Sequence, residues 1–173
     1  MVAGLKAGSV RPHKILLVCA ALWLPLVASA QAVGQVTNLP VPRFVSLKNS
    51  SANVRRGPST SNPIDWIFRH RGTPLIVRAE YDVWLRVEDV DGEGGWVHSK
   101  LLSVRRTVLV QQNLLPLRES PSNSARELAA LEAGVVPRLN ACQLDWCEVS
   151  IDDVSGWLPK SGIWGVLADE VFE

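Results

Sequence analysis

The chain has no excess of one charge, no apolar run of membrane-spanning length, almost no histidine, and no segment with a sustained helical period. Lysine and arginine number 18 against 17 aspartate and glutamate. Nucleic-acid binding draws on a basic surface, so this balance gives it no support. The longest apolar stretch, Ile15 to Ala28, is about 14 residues long, short of the roughly 20 that a spanning helix needs. Only His70 and His98 lie beyond residue 30, and both are remote in sequence from Cys142 and Cys147. A zinc site would need four such ligands together. No metal or other cofactor is therefore expected.

The first 30 residues read as a cleaved signal peptide. Lys6, Arg11 and Lys14 form a basic start, the apolar run follows, and Ala28-Ser29-Ala30 supplies an A-x-A cleavage site. An uncleaved membrane anchor is the competing reading. Cys19 follows Val18 inside the apolar run and is taken as an ordinary signal residue, not a lipidation site. Cleavage after Ala30 leaves 143 residues with 15 basic and 17 acidic side chains. The product is expected to be periplasmic or secreted and not embedded in the membrane. Its charge is uneven: Val41–Arg106 carries 11 basic and 7 acidic residues, Thr107–Glu173 carries 4 and 10.

What is present is a repeat. Leu75–Leu102 reads as three short strands with two tight turns, the second at Asp91-Gly92-Glu93-Gly94-Gly95, where glycine admits positive φ. Val135–Val166 repeats the pattern. Gly72 matches Gly134 and Trp84 matches Trp146 at an offset of 62, Trp96 matches Trp157 at 61, and Pro58 matches Pro121 at 63. A period near 62 is too long for a solenoid unit and suits a small barrel repeated once. Short strands with frequent turn signals make the units all-β. The segment Ala125–Ala133, though rich in helix formers, aligns with extended structure in the first unit. The expected organisation is a signal peptide at 1–30, a flexible leader at 31–42, repeats at 43–104 and 105–166, and a tail at 167–173, with Trp164 packed against the barrel.

Cys142 and Cys147 flank the turn Gln143–Trp146. In an oxidising exported setting that spacing favours a disulfide over a metal pair or a catalytic thiol.

Asn53-Val54-Arg55-Arg56-Gly57-Pro58-Ser59, then Trp84-Leu85-Arg86-Val87, then Gly94-Gly95-Trp96-Val97-His98 resemble the bacterial SH3-like domain family. Repeat two keeps Trp146-Cys147-Glu148-Val149 and Gly156-Trp157-Leu158 but replaces the opening by Pro116-Leu117-Arg118-Glu119-Ser120-Pro121. The resemblance implies two tandem SH3-like β-barrels, the second divergent. It also implies a binding module of the kind found attached to cell-wall hydrolases, contacting peptidoglycan or peptides. The Ala-Leu-Tyr-Asp-Tyr stretch that eukaryotic domains use for proline-rich ligands is missing, so that specificity is not implied.

Alternation over Trp84–Val90 sets Leu85 and Val87 inward and Trp84, Arg86 and Glu88 outward. Trp84 and Arg86, with Tyr81, Trp66 and the repeat mate Trp146, form the expected ligand groove, because large aromatics beside a charge anchor binding surfaces. Cover by a loop or by the sister repeat is the alternative for the outer tryptophans. Trp96 and Trp157, which close their repeats, are expected to be core residues. Three functions follow, in order: a non-catalytic periplasmic binder of cell-wall material or peptides; an adaptor or inhibitor of another exported protein; and a cysteine peptidase. The last stands third because the cysteines lie in one repeat and the histidines in the other, while nucleophilic catalysis needs them in one cleft. Asp152-Asp153, adjacent on the chain, point to opposite faces and are read as a solvated turn.

Overall fold

The structure, a computed structural model, describes residues 32–173 together with Met1, Ala3 and Gly4. The expected signal segment at 1–30 therefore lies, those three residues apart, outside the described residues. The rest is all-β. The first barrel contains β1 (Arg43–Leu47), β2 (Ser51–Arg55), β3 (Ile64–Arg69), β4 (Pro74–Tyr81), β5 (Trp84–Glu88), β6 (Gly94–His98) and β7 (Leu102–Ser103). A 3-10 turn at Ser99–Leu101 joins the last two. The strands form one antiparallel sheet ordered β3-β2-β6-β5-β4-β1-β7.

The second barrel repeats this chain path with β8 (Leu109–Val110), β9 (Leu115–Arg118), β10 (Glu127–Leu131), β11 (Arg138–Cys142), β12 (Trp146–Ile151), β13 (Val154–Pro159) and β14 (Ile163–Trp164). Its sheet runs β10-β9-β13-β12-β11, and β8 pairs with β14 separately. The two barrels correspond strand for strand, and local devices recur with them. Gly72 and Gly134 sit at φ 87° and 90°, and each donates its N–H over 2.8 Å, to Leu47 and Val110 respectively. Only glycine adopts that backbone without strain, which is why both copies keep it. Arg55 Nη1 donates to the Asn62 carbonyl at 2.6 Å and Arg118 Nη1 to that of Ala125 at 2.8 Å, holding the same loop in each barrel.

Period-two alternation fills each barrel. Val54, Leu75, Val77, Val87 and Val97 are fully buried in the first core, and Val108, Leu117, Cys147, Val149 and Leu158 in the second. Each buried branched aliphatic contributes roughly 1.5–3 kcal/mol. The helix formers Glu127-Leu128-Ala129-Ala130-Leu131 are extended because β9 supplies their ladder and Leu131 reaches the core. Tertiary pairing overrides propensity here.

The leader, read from sequence as flexible or extended, is held against the first barrel. Val33 pairs with Pro40, and the turn between them closes on Glu80. The Glu80 carboxylate, its side chain wholly enclosed, accepts from the amides of Val36 and Thr37 at 3.2 and 3.0 Å and from the Thr37 hydroxyl at 2.7 Å, and pairs with Arg43 at 2.6 Å. Gly34 is needed because a Cβ there would collide with that carboxylate. Polar composition and two prolines suggested a free segment, but its anchor lies more than 40 residues away in β4.

The barrels meet at an aromatic and charged joint. Phe44 of β1 meets Trp164 edge to face, with ring centroids 5.0 Å apart. Thus Trp164 packs on the first barrel. Arg106, in the linker, lies over Phe44 at 5.5 Å and Phe172 at 5.6 Å, and forks onto Glu170 at 2.7 and 3.1 Å. Phe172 in the tail exchanges backbone hydrogen bonds with Cys142, extending the sheet at β11.

Candidate binding surface

β5 and β6 build the outer face of the first barrel. With Leu85, Val87 and Val97 inward, the residues turned out are Trp84, Arg86 and Glu88 on β5 and Gly94, Trp96 and His98 on β6. Register sets Trp84 opposite His98, Arg86 opposite Trp96, and Glu88 opposite Gly94. Arg55 of β2 lies on the far side of Trp96. The outer face therefore carries an aromatic pair at one end and a cation–aromatic–cation row in the middle. At the other end Arg78 donates to Glu88 at 2.7 Å. A cavity of about 360 Å³ opens over the row, lined by Arg55, Arg56, Arg86 and Trp96.

The sheet edge carries a different surface. β3 pairs only with β2, and four of its apolar or aromatic positions deserve contrast: Phe68 is buried, while Ile64, Trp66 and Ile67 are 46%, 49% and 41% exposed. They border an open cavity of about 700 Å³ whose polar rim includes Asp65, Arg69, His70, Thr73 and Asp89. In the second barrel, β10 offers alanines at this edge. There the cavity of about 620 Å³ lies elsewhere, over Leu144, Trp146, Pro159 and Lys160.

The structure does not gather the five expected groove residues into one groove. Tyr81, Trp84 and Arg86 are contiguous across the β4–β5 hairpin; Tyr81 is 60% exposed, but Trp84 only 7%. Trp66 is separated from them by β2 and β6. Trp146 is half-buried in the other barrel. Trp96 and Trp157, expected in the core, are half-buried on the outer faces, because the inward positions are their neighbours Val97 and Leu158. The glycines before them masked the alternation. Arg55 and Arg56 were missed as surface residues, although their place in the opening motif, one strand from Trp96, is a signal the repeat alignment contained.

Cys142 and Cys147 form the expected disulfide, spanning β11 and β12 as cross-strand partners with Cα atoms 4.1 Å apart. Asp152 and Asp153 are exposed in the β12–β13 turn. Among the described residues no group of three or more His, Cys, Asp or Glu side chains could hold a metal ion. Among those residues no helix is long and apolar enough to cross a membrane.

Two small antiparallel barrels in tandem, each closed on an apolar core and turning aromatic and charged side chains outward, have the architecture of a small β-barrel domain used twice. The chain belongs to the bacterial SH3 domain family, whose profile matches residues 48–103 and again 111–165, once per barrel. Similar solved structures include NlpC2 from Trichomonas vaginalis, at 10% identity and TM-score 0.33, covering 71% of this chain and 48% of that one. NlpC1 from the same organism is 9% identical with TM-score 0.32, covering 83% and 49%. An NlpC/P60 family protein from Bacillus cereus is 14% identical with TM-score 0.31, covering 70% and 55%. The chain thus spans about half the length of each. No curated protein matches it.

Proposed function

We propose that the protein is a non-catalytic exported module that binds cell-wall peptidoglycan or its peptides through the first barrel. The observation that carries this reading is the open cavity along β3, where Trp66 is half exposed between Ile64 and Ile67 and polar side chains rim the apolar floor. A large aromatic surface with convergent polar groups suits the alternating apolar and hydroxylated faces of a glycan or a short peptide. Bacterial SH3 domains commonly bind cell-wall material, which supports the same reading. The disulfide supports binding over nucleophilic catalysis, since neither Cys142 nor Cys147 is a free thiol. The test is co-sedimentation with purified sacculi. The parent protein pellets with the wall, and Trp66→Ala stays in the supernatant while remaining folded. A parent protein left wholly in the supernatant sinks the proposal.

A second reading rests on the same edge. A free strand with exposed apolar side chains is a template for strand addition, so β3 also suits an extended segment of another exported protein. In that case cross-linking in the periplasm captures one reproducible partner through β3, and Ile67→Lys abolishes the capture.

A further inference from the structure

The cation–aromatic row on the outer face of the first barrel is distinct from the β3 cavity, and its charges are not all matched. Asp65 is engaged by both nitrogens of the Arg56 fork, at 3.1 and 2.8 Å, and Glu88 is engaged by Arg78 at 2.7 Å. Arg55, in register with Trp96 and lining the same cavity, gives Nη1 to the Asn62 carbonyl at 2.6 Å and forms no ion pair among the described residues. Arg86, on the other side of Trp96, forms no ion pair among the described residues. Its neighbours' carboxylates are already neutralised, so its charge faces the cavity uncompensated.

We propose that this row is a carboxylate site that takes the C-terminal end of a short peptide. The carboxylate lies between the Arg86 and Arg55 guanidiniums, and the last side chain lies against the Trp96 indole. A guanidinium fork matches the planar two-oxygen geometry of a carboxylate. The half-buried Trp96 supplies apolar surface beside the charge, and a cavity of about 360 Å³ holds one or two residues.

The second barrel provides an internal control. Its row is Glu148, Trp157 and Arg118, in the register of Arg86, Trp96 and Arg55. A carboxylate stands where the first barrel has its uncompensated cation, so that row repels the ligand. The site therefore belongs to the first barrel and not to the second. It goes beyond the wall-binding reading and does not depend on it.

The experiment follows the tryptophan indole N–H and arginine Nε–H resonances of the intact exported protein by NMR. N-acetyl-alanyl-alanine is titrated in, then its C-terminal amide, then inorganic phosphate. The free acid shifts Trp96, Arg86 and Arg55 saturably and leaves Trp157 in place. The amide binds about tenfold more weakly or worse, and so does Arg86→Glu. Arg86 is exposed, so both Arg86→Glu and the milder Arg86→Gln keep the parent's melting curve. Equal binding of acid and amide overturns the proposal, as does Trp157 moving as far as Trp96. Binding unchanged in both Arg86 variants overturns it too. Phosphate displacing the dipeptide at lower concentration overturns the carboxylate assignment.

Discussion

The indole of Trp84 lies against the imidazole of His98, with ring centroids 5.4 Å apart and planes inclined by 56°. Both belong to the outer face of the β5–β6 ladder, yet Trp84 is only 7% exposed. At the matching place in the second barrel Trp146 faces Pro159 and stays half-buried beside an open cavity. One strand position thus covers the sheet in one barrel and walls a cavity in the other. Trp84→Ala is expected to cost about 3–5 kcal/mol, the usual cost of removing a buried large aromatic. Trp146→Ala should cost clearly less. Urea unfolding of both variants checks the order, and a Trp84→Ala protein as stable as its parent contradicts it.

The Glu80 clamp makes the leader sensitive to acid. Burial alone would raise this carboxyl, but the Thr37 hydroxyl and amide, Arg43 and the Val36 amide outweigh it and hold the pKa at about 2, against an ordinary 4.5. A folded pKa below the unfolded one means stabilisation present in full above about pH 4.5 and lost as pH falls toward 2. The amount is roughly 2–3 kcal/mol. Unfolding measured at pH 6, 4 and 2.5 should show that loss, and Glu80→Gln should abolish it while lowering stability at neutral pH. Amide exchange at Val36 and Thr37 should quicken in the variant. Unchanged protection there would mean the clamp does not hold the leader.

The disulfide closes a short loop inside the second core, where Cys142 and Cys147 are 1% and 0% exposed. Protein purified from an oxidising compartment should contain no alkylatable thiol at either position. Replacing both by serine should cost on the order of 2 kcal/mol through loop-closure entropy, with further loss from burying two hydroxyls. Because Cys142 also pairs with Phe172, the tail should become susceptible to carboxypeptidase. A tail equally resistant in both forms would separate it from the disulfide.

The fold was legible because the repeat states it twice. Gly72 and Gly134, or Trp84 and Trp146, each carry weak information alone, but a common offset across four motifs fixes strand order and turn positions together. The candidate surface was less legible. Alternation correctly turned Trp84 outward, but exposure depends on what stacks on it, and the Trp84–His98 contact joins two strands. The glycine pair before Trp96 hid the alternation that turns it outward. Charge carried a further ambiguity: Arg56 pairs with Asp65 in the first barrel, whereas its repeat mate Glu119 pairs in the second with Arg126, the counterpart of Pro63. Sequence shows the charges there but not that they are mutually satisfied, and only that satisfaction leaves Arg86 standing out.

Arg106 couples the two barrels. It lies between Phe44 of the first barrel and Phe172 of the tail, and it donates to Glu170 and to the Gly165 carbonyl at 2.7 Å each. Burial pushes the Glu170 carboxyl up, but the Arg106 fork and the Leu167 amide bring it below the ordinary value. Arg106→Ala strands a partly buried carboxylate and removes the cation that the two phenyl rings enclose. The expected cost is about 3 kcal/mol, in line with breaking one side of a buried pair. Arg106→Lys should fall between, since an ammonium keeps the charge but not the fork. The telling readout is cooperativity. With the joint intact, both barrels should unfold in one calorimetric transition. With Arg106→Ala, the first barrel, which does not contain the disulfide, should separate as an earlier one. Phe44→Ala, which removes the ring facing Trp164, should split the transition in the same way. A single transition in both variants would place the coupling elsewhere, in the Thr107 hydroxyl's bond to the Gly72 carbonyl at 2.5 Å or in the linker backbone.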